Sequence, residues 1–268
     1  MARTFDGAND QIAFGSGAEI DALSAFTAVA LVRITAAVTS ERQILTKMRS
    51  PDYQGKMYIA ALGGSGSDNK ILAVVSRESG SDAVSISAAD VLVVNQWQVI
   101  VTTFDGTSAI KIYACALGGA LAEVSYSSQT AGSGSLVDDS SATLRVGTRD
   151  PLDATFFAGG VAECSLWSRV LSADELGALG RGFAPAFFPR GRVFYCPIDG
   201  RRSPEQNWSG TTDGAVTEAV YLEHPRVIYP VANVPLARPS GGGSPPPPVG
   251  RISHATTRSL TRVIGRAL

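Results

Sequence analysis

The stretch that most constrains the fold spans residues 157–179 and reads FAGGVAECSLWSRVLSADELGAL. In its first half, apolar residues alternate as far as Trp167, which is the pattern of a half-buried strand. In its second half, Ser172 stands three residues before Glu175 and ahead of two leucines, the signature of a capped helix. A strand this late in the chain needs partners far upstream in sequence, so we expect its neighbours to lie before residue 150.

The rest of the chain is rich in short β-type runs separated by turn residues. Apolar residues make up 44% of the 268 residues and charged residues only 18%, while Gly, Ser, Thr and Ala fill the segments between Val- and Ile-rich runs. The clearest hairpin joins WQVIVTTF to AIKIYACA through an Asp105-Gly106 turn. The run AFTAVALVRI (residues 25–34) has almost no polar residues, which favours a strand buried on both faces. These patterns predict an all-β fold built from antiparallel strands.

Composition narrows the classes of partner and compartment. The net charge of −1 gives the whole molecule no attraction for nucleic acid or anionic lipid, so we expect no nucleic-acid partner. No apolar run approaches the roughly 18 residues of a membrane span, and the N-terminal residues lack the apolar core of a signal peptide. The three cysteines fit neither a disulfide framework nor a zinc site, and we expect them to pack as reduced apolar side chains.

From residue 235 the composition changes from that of a folded domain (residues 1–234) to that of a linker. Residues 235–250 combine a Gly/Ser hinge with a polyproline spacer that cannot join a core. Residues 251–268 have the spacing of a basic amphipathic helix. Three roles fit such a segment: it lies on a membrane or contacts nucleic acid, it is disordered and inert, or it docks into another protein. We favour docking, through these apolar residues: Ile252, Leu260, Val263, Ile264 and Leu268.

The order of the β-type runs resembles a known family. FDGANDQIAFG, AFTAVALVRI, the Asp105-Gly106 hairpin, LRVGT and the 157–179 stretch follow one another as in the concanavalin A-like, laminin G-like jelly roll, in the form found in bacteriophage virion proteins. The resemblance spans residues 5–230. It implies a two-sheet antiparallel jelly-roll sandwich with a short helix after the late core strand. It also implies a place on the virion surface, after synthesis in the host cytoplasm without a signal peptide.

The chain departs from this family at a position that can hold calcium. Family members often carry Gly-x-Ile-Asp-Glu before the last core strand, whereas residues 160–163 here read GVAE, so one carboxylate is missing. A hard cation needs several converging oxygen ligands, and acids in loops more often serve turns. We therefore expect no cofactor, with a calcium site as the lesser alternative. Its candidate ligands are Asp6, Asp10, Asp138, Asp139 and Glu163.

Catalytic patterns are incomplete. The same fold houses glycoside hydrolases whose strand carries Glu-x-Asp-x-x-Glu, and Glu19 and Asp21 match the first two acids, but the third position is Ser24. We therefore expect both acids to be polar residues of a loop or strand edge. The two histidines, His224 and His254, accompany no Gly-x-Ser-x-Gly elbow, so a hydrolytic triad has no support. The sequence predicts a protein that is not an enzyme.

Aromatic residues in polar loops are the remaining candidate ligand contacts. Trp208, Tyr53 and Tyr126 lie in such loops, where a ring either stacks on a sugar or packs over the edge of the sandwich. The favoured function is a virion structural protein (capsid decoration, head fibre or tail-associated), anchored to a capsid, portal or tail protein by its C-terminal segment. The alternative is a carbohydrate-binding adhesion module for a cell-surface glycan, and a homo-oligomer is compatible with both.

Overall fold

The computed structural model describes residues 2–21, 23–48, 55–63, 68–149 and 155–230, with the backbone alone for residues 55, 56 and 58. These residues form strands and one short helix. In chain order the elements are β1 (Ala2–Asp6), β2 (Gln11–Gly15), β3 (Phe26–Ile34), β4 (Arg42–Met48), β5 (Gly55–Leu62), β6 (Lys70–Val75), β7 (Ala83–Ser87), β8 (Gln98–Phe104), β9 (Lys111–Ala116), β10 (Ala122–Glu123), β11 (Tyr126–Thr130), β12 (Thr143–Val146), β13 (Ala158–Trp167), α1 (Ala173–Gly180), β14 (Arg192–Cys196), β15 (Ala215–Thr217) and β16 (Val220–Leu222).

The strands pair antiparallel into two sheets with an apolar core between them. Sheet I has the order β10-β9-β8-β3-β13-β1-β16, and β14 pairs with β13 beyond the end of β1. Sheet II has the order β11-β7-β6-β5-β4-β12-β2-β15. Strands β4 to β7 form an antiparallel meander, and β8 and β9 form the predicted hairpin. The prediction of an all-β, two-sheet jelly-roll sandwich is confirmed.

Strand β13 is the late core strand, and two of its partners, β3 and β1, lie before residue 150 as the sequence predicts. It pairs with β3 over most of its length and with β1 over its first part. The prediction that it is half-buried is wrong, because only Ala158 is exposed and every later residue of the strand is buried. One face of β13 packs in the core between the sheets, and α1 and the chain after it cover the other face.

Aromatic side chains from both sheets fill the interior. Phe14 of β2 packs edge to face on Phe194 of β14, with ring centroids 4.8 Å apart. A second apolar layer lies on the outer face of sheet I, where Trp167 is fully buried and its indole N–H donates to the Phe188 carbonyl at 2.7 Å. Each large apolar side chain buried in this way contributes about 1.5–3 kcal/mol to folding. The sandwich is therefore stabilised on two sides of sheet I.

The three cysteines are unbridged, as the sequence predicts. Cys164 and Cys196 are cross-strand partners in the core, and Cys115 is half-buried. Burial raises the pKa of the Cys164 and Cys196 thiols well above the usual range. Since the thiolate is the reactive form, both side chains are inert packing groups.

Helix α1 begins at the predicted capping box. The Ser172 hydroxyl accepts a hydrogen bond from the Glu175 N–H at 3.3 Å, and the Glu175 carboxylate accepts one from the Ser172 N–H at 2.8 Å. The same carboxylate binds the Arg169 guanidinium in a bidentate pair, with contacts of 2.6 and 2.8 Å. The bond from Arg169 is the main reason that the pKa of Glu175 falls to about 2. One carboxylate thus closes the helix start and fixes the preceding turn.

Among the described residues, no helix is long and apolar enough to cross a membrane. The predicted linker (residues 235–250) and C-terminal segment (residues 251–268) lie outside the described residues, as does Tyr53.

Replacing Glu175 by Gln should lower the free energy of unfolding by about 1 kcal/mol at pH 7, because the charged pair with Arg169 is lost while the cap is kept. The folded pKa of Glu175 lies below its unfolded value of 4.5, so its stabilisation is present above that pH and disappears as the pH falls through about 2. Urea titrations of both proteins between pH 7 and pH 2 should converge at the acid end. Asp174→Asn removes an exposed charge from the same turn and is the control; a gap for Glu175→Gln that does not change with pH would contradict this role.

Candidate functional site

The loop after β14 carries the best-placed of the predicted ligand contacts. We call residues 199–214 the Trp208 loop. It runs along the outer edge of β14. There the backbone N–H of Trp208 donates to the Tyr195 carbonyl at 2.6 Å, and the backbone N–H of Tyr195 donates to Asn207 Oδ1 at 3.2 Å. Asn207 Oδ1 also accepts from the Ser209 N–H at 3.1 Å. The loop therefore covers the edge of sheet I and is held by hydrogen bonds on both sides of Trp208.

The two acids of the partial glycosidase pattern both have structural partners. Glu19 Oε1 accepts from the Thr211 N–H at 3.0 Å and from the Thr211 hydroxyl at 3.2 Å, which fastens the far side of the Trp208 loop. Burial alone would raise the pKa of Glu19, but the hydrogen bonds outweigh it and lower the pKa. Asp21 Oδ1 lies 2.8 Å from the buried Lys47 Nζ, which also contacts Asp139 Oδ2 at 3.1 Å. The expectation that both acids serve loop structure is confirmed.

A buried ion pair fixes the base of the Trp208 loop to β1. Arg3 Nε lies 2.6 Å from Glu205 Oε1, and Arg3 also donates to the Arg202 carbonyl. The Glu205 carboxylate accepts from the N–H groups of Asp199 at 3.1 Å and Gly200 at 2.9 Å. Burial raises the pKa of Glu205, and Arg3 offsets part of that rise. Breaking a buried pair of this kind by removing one partner costs about 3–5 kcal/mol.

Trp208 and Arg192 both lie against the ring of Tyr195. The indole and phenol rings meet edge to face with centroids 5.4 Å apart, and Arg192 Cζ lies 4.8 Å from the phenol centroid. Arg192 Nε donates to Ser209 Oγ at 2.7 Å, and Nη1 donates to the Pro185 carbonyl at 2.6 Å. A bulge in β14 puts Arg192 on the same side of the strand as Tyr195. Trp208 as a residue is half-buried, and its ring is supported by Tyr195.

A fully buried carboxylate, Glu163, lies next to Tyr195. Glu163 occupies a bulge in β13 and has a positive φ of 52°. Its carboxylate accepts from the Tyr195 hydroxyl at 2.8 Å and from the Tyr229 hydroxyl, and His224 Nε2 lies 3.0 Å away. Burial raises the pKa of both tyrosines, and the Glu163 carboxylate raises it further. Both hydroxyls therefore stay protonated and donate hydrogen bonds. This network holds the segment around His224 and Tyr229 on sheet I.

The structure does not bring together Trp208 and Tyr126, the two predicted aromatic contacts that it describes. Tyr126 begins β11, which lies at the opposite edge of sheet II from β15. Its hydroxyl accepts from the Ile112 N–H at 2.9 Å and donates to Glu123 Oε1 at 3.1 Å, and burial raises its pKa to about 12. Tyr126 thus packs over the sandwich edge. A depression of about 360 Å³ lies beside it, lined in part by Ala114, Cys115, Ala122, Glu123 and Val124.

The candidate calcium ligands are spread over separate sites. Asp10 Oδ2 accepts from the Asp6 N–H at 2.7 Å and shapes the turn between β1 and β2. Asp138 and Asp139 lie in another loop, where Asp139 faces Lys47. In the part of the chain that the structure describes, no three His, Cys, Asp or Glu residues are grouped so that they could hold a metal ion.

Sequence reasoning did not identify Arg192, Tyr195 or Tyr229 as part of this site. The alternation in RVFYC (residues 192–196) does carry a signal, since a core-facing Phe194 puts Tyr195 on the outer face. Arg192 carries no such signal, because the bulge in β14 interrupts the alternation. The sequence offers Glu163 only as a candidate calcium ligand, and His224 only as a histidine without a catalytic motif.

Comparisons with known proteins agree with the fold. Residues 6–177 match a laminin G-type family model described as the concanavalin A-like lectin/glucanases superfamily. A search of curated proteins gives no match. Among solved structures, a "putative carbohydrate binding protein from Bacteroides ovatus" has 17% identity and a TM-score of 0.53, with 82% of this chain and 58% of that chain covered. A heptameric SAP-like pentraxin from Limulus polyphemus has 12% identity and a TM-score of 0.50, with coverages of 67% and 81%.

These structural similarities concern the fold alone, and the chain spans 58% of the length of the Bacteroides protein. The family match begins at the last residue of β1 and ends at residue 177, within α1, so it contains β2 to β13 and stops before the Trp208 loop. It covers well over half of the 268 residues. The chain therefore belongs to the concanavalin A-like lectin/glucanases superfamily.

Proposed function

We propose that the chain is a non-enzymatic, glycan-binding adhesion module in which Trp208 is the main sugar contact. The observation that carries this proposal is a half-exposed indole on a loop that is already fixed, by its ring contact with Tyr195 and its backbone bond to β14. The C–H face of a sugar ring packs well against an aromatic ring. A contact surface that is ordered before binding loses little conformational entropy.

Polar groups next to Trp208 can fix the orientation of a bound sugar. Arg192, Ser209 and Thr211 all lie on or against the loop, and binding sites combine an apolar surface with a few such groups. The superfamily description names lectins, and one structure of the same fold is named as a carbohydrate binding protein. Both facts support a glycan as the ligand.

The proposal of binding without catalysis rests on the carboxylates. Glycoside hydrolysis needs two acids on either side of the bond that is cleaved. Glu19 is bonded to Thr211, Asp21 is paired with Lys47, and Glu163 is fully buried beneath two tyrosine hydroxyls. Each of these three carboxylates therefore contributes to holding the fold.

Replacing Trp208 by Ala should weaken binding to a glycan by about tenfold or more, because the ring contact is lost. A glycan array identifies the ligand, and calorimetry then compares wild type, Trp208→Ala and Trp208→Phe, which keeps a smaller ring and should lose less affinity. Tyr221→Ala removes an exposed aromatic residue outside the loop and is the matched control. Saturable binding that survives Trp208→Ala, or is lost equally in Tyr221→Ala, would reject Trp208 as the sugar contact.

We further propose that the domain is displayed on a virion and that residues 251–268 anchor it to a capsid, portal or tail protein. The support is the sequence: an amphipathic segment follows a Gly/Ser/Pro-rich spacer, which gives the domain reach without joining its core. Burial of one apolar face in a groove of the partner is a common mode of attachment. The contacts would be the apolar residues named above, from Ile252 to Leu268.

Deleting residues 240–268 should leave a folded sandwich that no longer joins its particle. Circular dichroism checks the fold, and mass spectrometry of purified particles checks incorporation. In the full-length chain, Ile264→Asp should also prevent incorporation, whereas Arg262→Gln, on another face of the predicted helix, should not. Normal incorporation of the truncated chain would show that the attachment lies elsewhere.

A further inference from the structure

Arg192 carries a charge that its contacts do not balance. Its two hydrogen bonds go to neutral oxygens, the Ser209 hydroxyl and the Pro185 carbonyl. Burial lowers the pKa of Arg192, the direction expected when a cation loses water. Within the described residues, no carboxylate lies at ion-pair distance from it. By contrast, Arg3, Arg149 and Arg169 are each paired with a glutamate.

The carboxylate that binds the Tyr195 hydroxyl, Glu163, already has its own partners. Glu163 accepts hydrogen bonds from the hydroxyls of Tyr195 and Tyr229, and His224 lies beside it. Arg192 instead lies over the Tyr195 ring, so the ring separates the guanidinium from the direct contacts of the carboxylate. Glu163 therefore does not neutralise the charge of Arg192 by a direct ion pair.

The position of Arg192 beside the half-buried Trp208 distinguishes it from Arg77, which also lies over an aromatic ring. Both rings are buried, but Phe104, the ring under Arg77, belongs to the core between the sheets. Arg192 shares its ring with the half-exposed Trp208 and is bonded to Ser209, the next residue of the same loop. A guanidinium has five N–H donors in a planar fork, and two are used here. The rest can take a planar or tetrahedral anion.

We propose that the Trp208 loop binds acidic glycans, with Trp208 packed on a sugar ring and Arg192 bonded to a carboxylate or sulfate group of the same or the adjoining sugar. This inference rests on the proposed function of the loop and names its ligand class. The net charge of −1 provides no long-range attraction for a polyanion, so recognition depends on this local contact. Glu19, bonded to Thr211, marks the side of the loop on which an anionic group is disfavoured.

The test uses polymers that differ in charge and little else. Polygalacturonate is compared with its fully methyl-esterified form, and dextran sulfate with dextran, by calorimetry on the full chain. Wild type should bind at least one acidic polymer about tenfold more tightly than its neutral counterpart. Arg192→Gln should remove that preference, so that the affinities for the acidic and the neutral polymer come within about twofold of each other. Arg192→Lys should be intermediate, because the charge stays and the planar fork is lost.

Arg33→Gln is the matched control, since Arg33 of β3 contacts Asn95 and its loss removes the same charge from another part of sheet I. It should bind both polymers as wild type does. The polygalacturonate pair tests recognition of a carboxylate group, and the dextran pair tests recognition of a sulfate group. Because Arg192 also supports the loop, the melting temperature of each variant is measured beside its affinity. If Arg192→Gln does not fold, the Arg192→Lys affinities and the wild-type preference for acidic polymers decide the result.

Three outcomes overturn the inference: equal wild-type affinity for acidic and neutral polymers, an acidic preference that Arg192→Gln and Arg192→Lys both retain, or the same loss in Arg33→Gln. If Trp208→Ala abolishes binding to a neutral glycan while the Arg192 variants change nothing, glycan binding by the loop stands and the acidic ligand class falls. If wild type binds none of these polymers and no glycan on an array, both proposals fall.

Discussion

The buried carboxylate of Glu163 is the interaction on which the surface of sheet I depends. A bulge inserts it into the central strand β13, and it is fully buried, where an unpaired charge would cost several kcal/mol. Two tyrosine hydroxyls and an imidazole satisfy it. Through Tyr229 and His224 it holds the closing segment, and through Tyr195 it fixes the ring that supports Trp208 and Arg192. The core strand thereby positions the candidate ligand surface.

The sandwich and the candidate site come from different parts of the chain. The family match covers residues 6–177, which build most of both sheets, whereas the Trp208 loop follows β14. The buried pair of Arg3 and Glu205 ties that later loop to β1. The hydrogen bonds that Thr211 donates to Glu19 tie it to the turn after β2. A shared fold with a distinct loop is how one architecture serves many ligands.

Local patterns predicted the fold well and the site poorly. The Asp105-Gly106 turn, the buried run of β3 and the Ser172 capping box depend on neighbouring residues, and all three are confirmed. The outer face of β13 is buried by residues that follow the strand by up to 60 positions, such as Val227. Because the alternation within β13 carries no information about those residues, it predicted a half-buried strand. Trp208 was recognisable as an aromatic residue in a polar loop. Its support was not, because two bulges decide where Glu163 and Arg192 lie.

The chain has three tryptophans, which allows the central claim to be tested with one spectrum. Trp167 is fully buried under the outer apolar layer and Trp97 packs against the same layer, so the Trp208 loop carries the third indole. A ¹H–¹⁵N NMR titration of the full chain with a bound glycan reports all three indole N–H groups at once. We expect the Trp208 signal to shift progressively while those of Trp97 and Trp167 stay in place. Shifts centred instead on Glu123 and Tyr126, with Trp208 unchanged, would contradict the assignment of the ligand surface to the Trp208 loop.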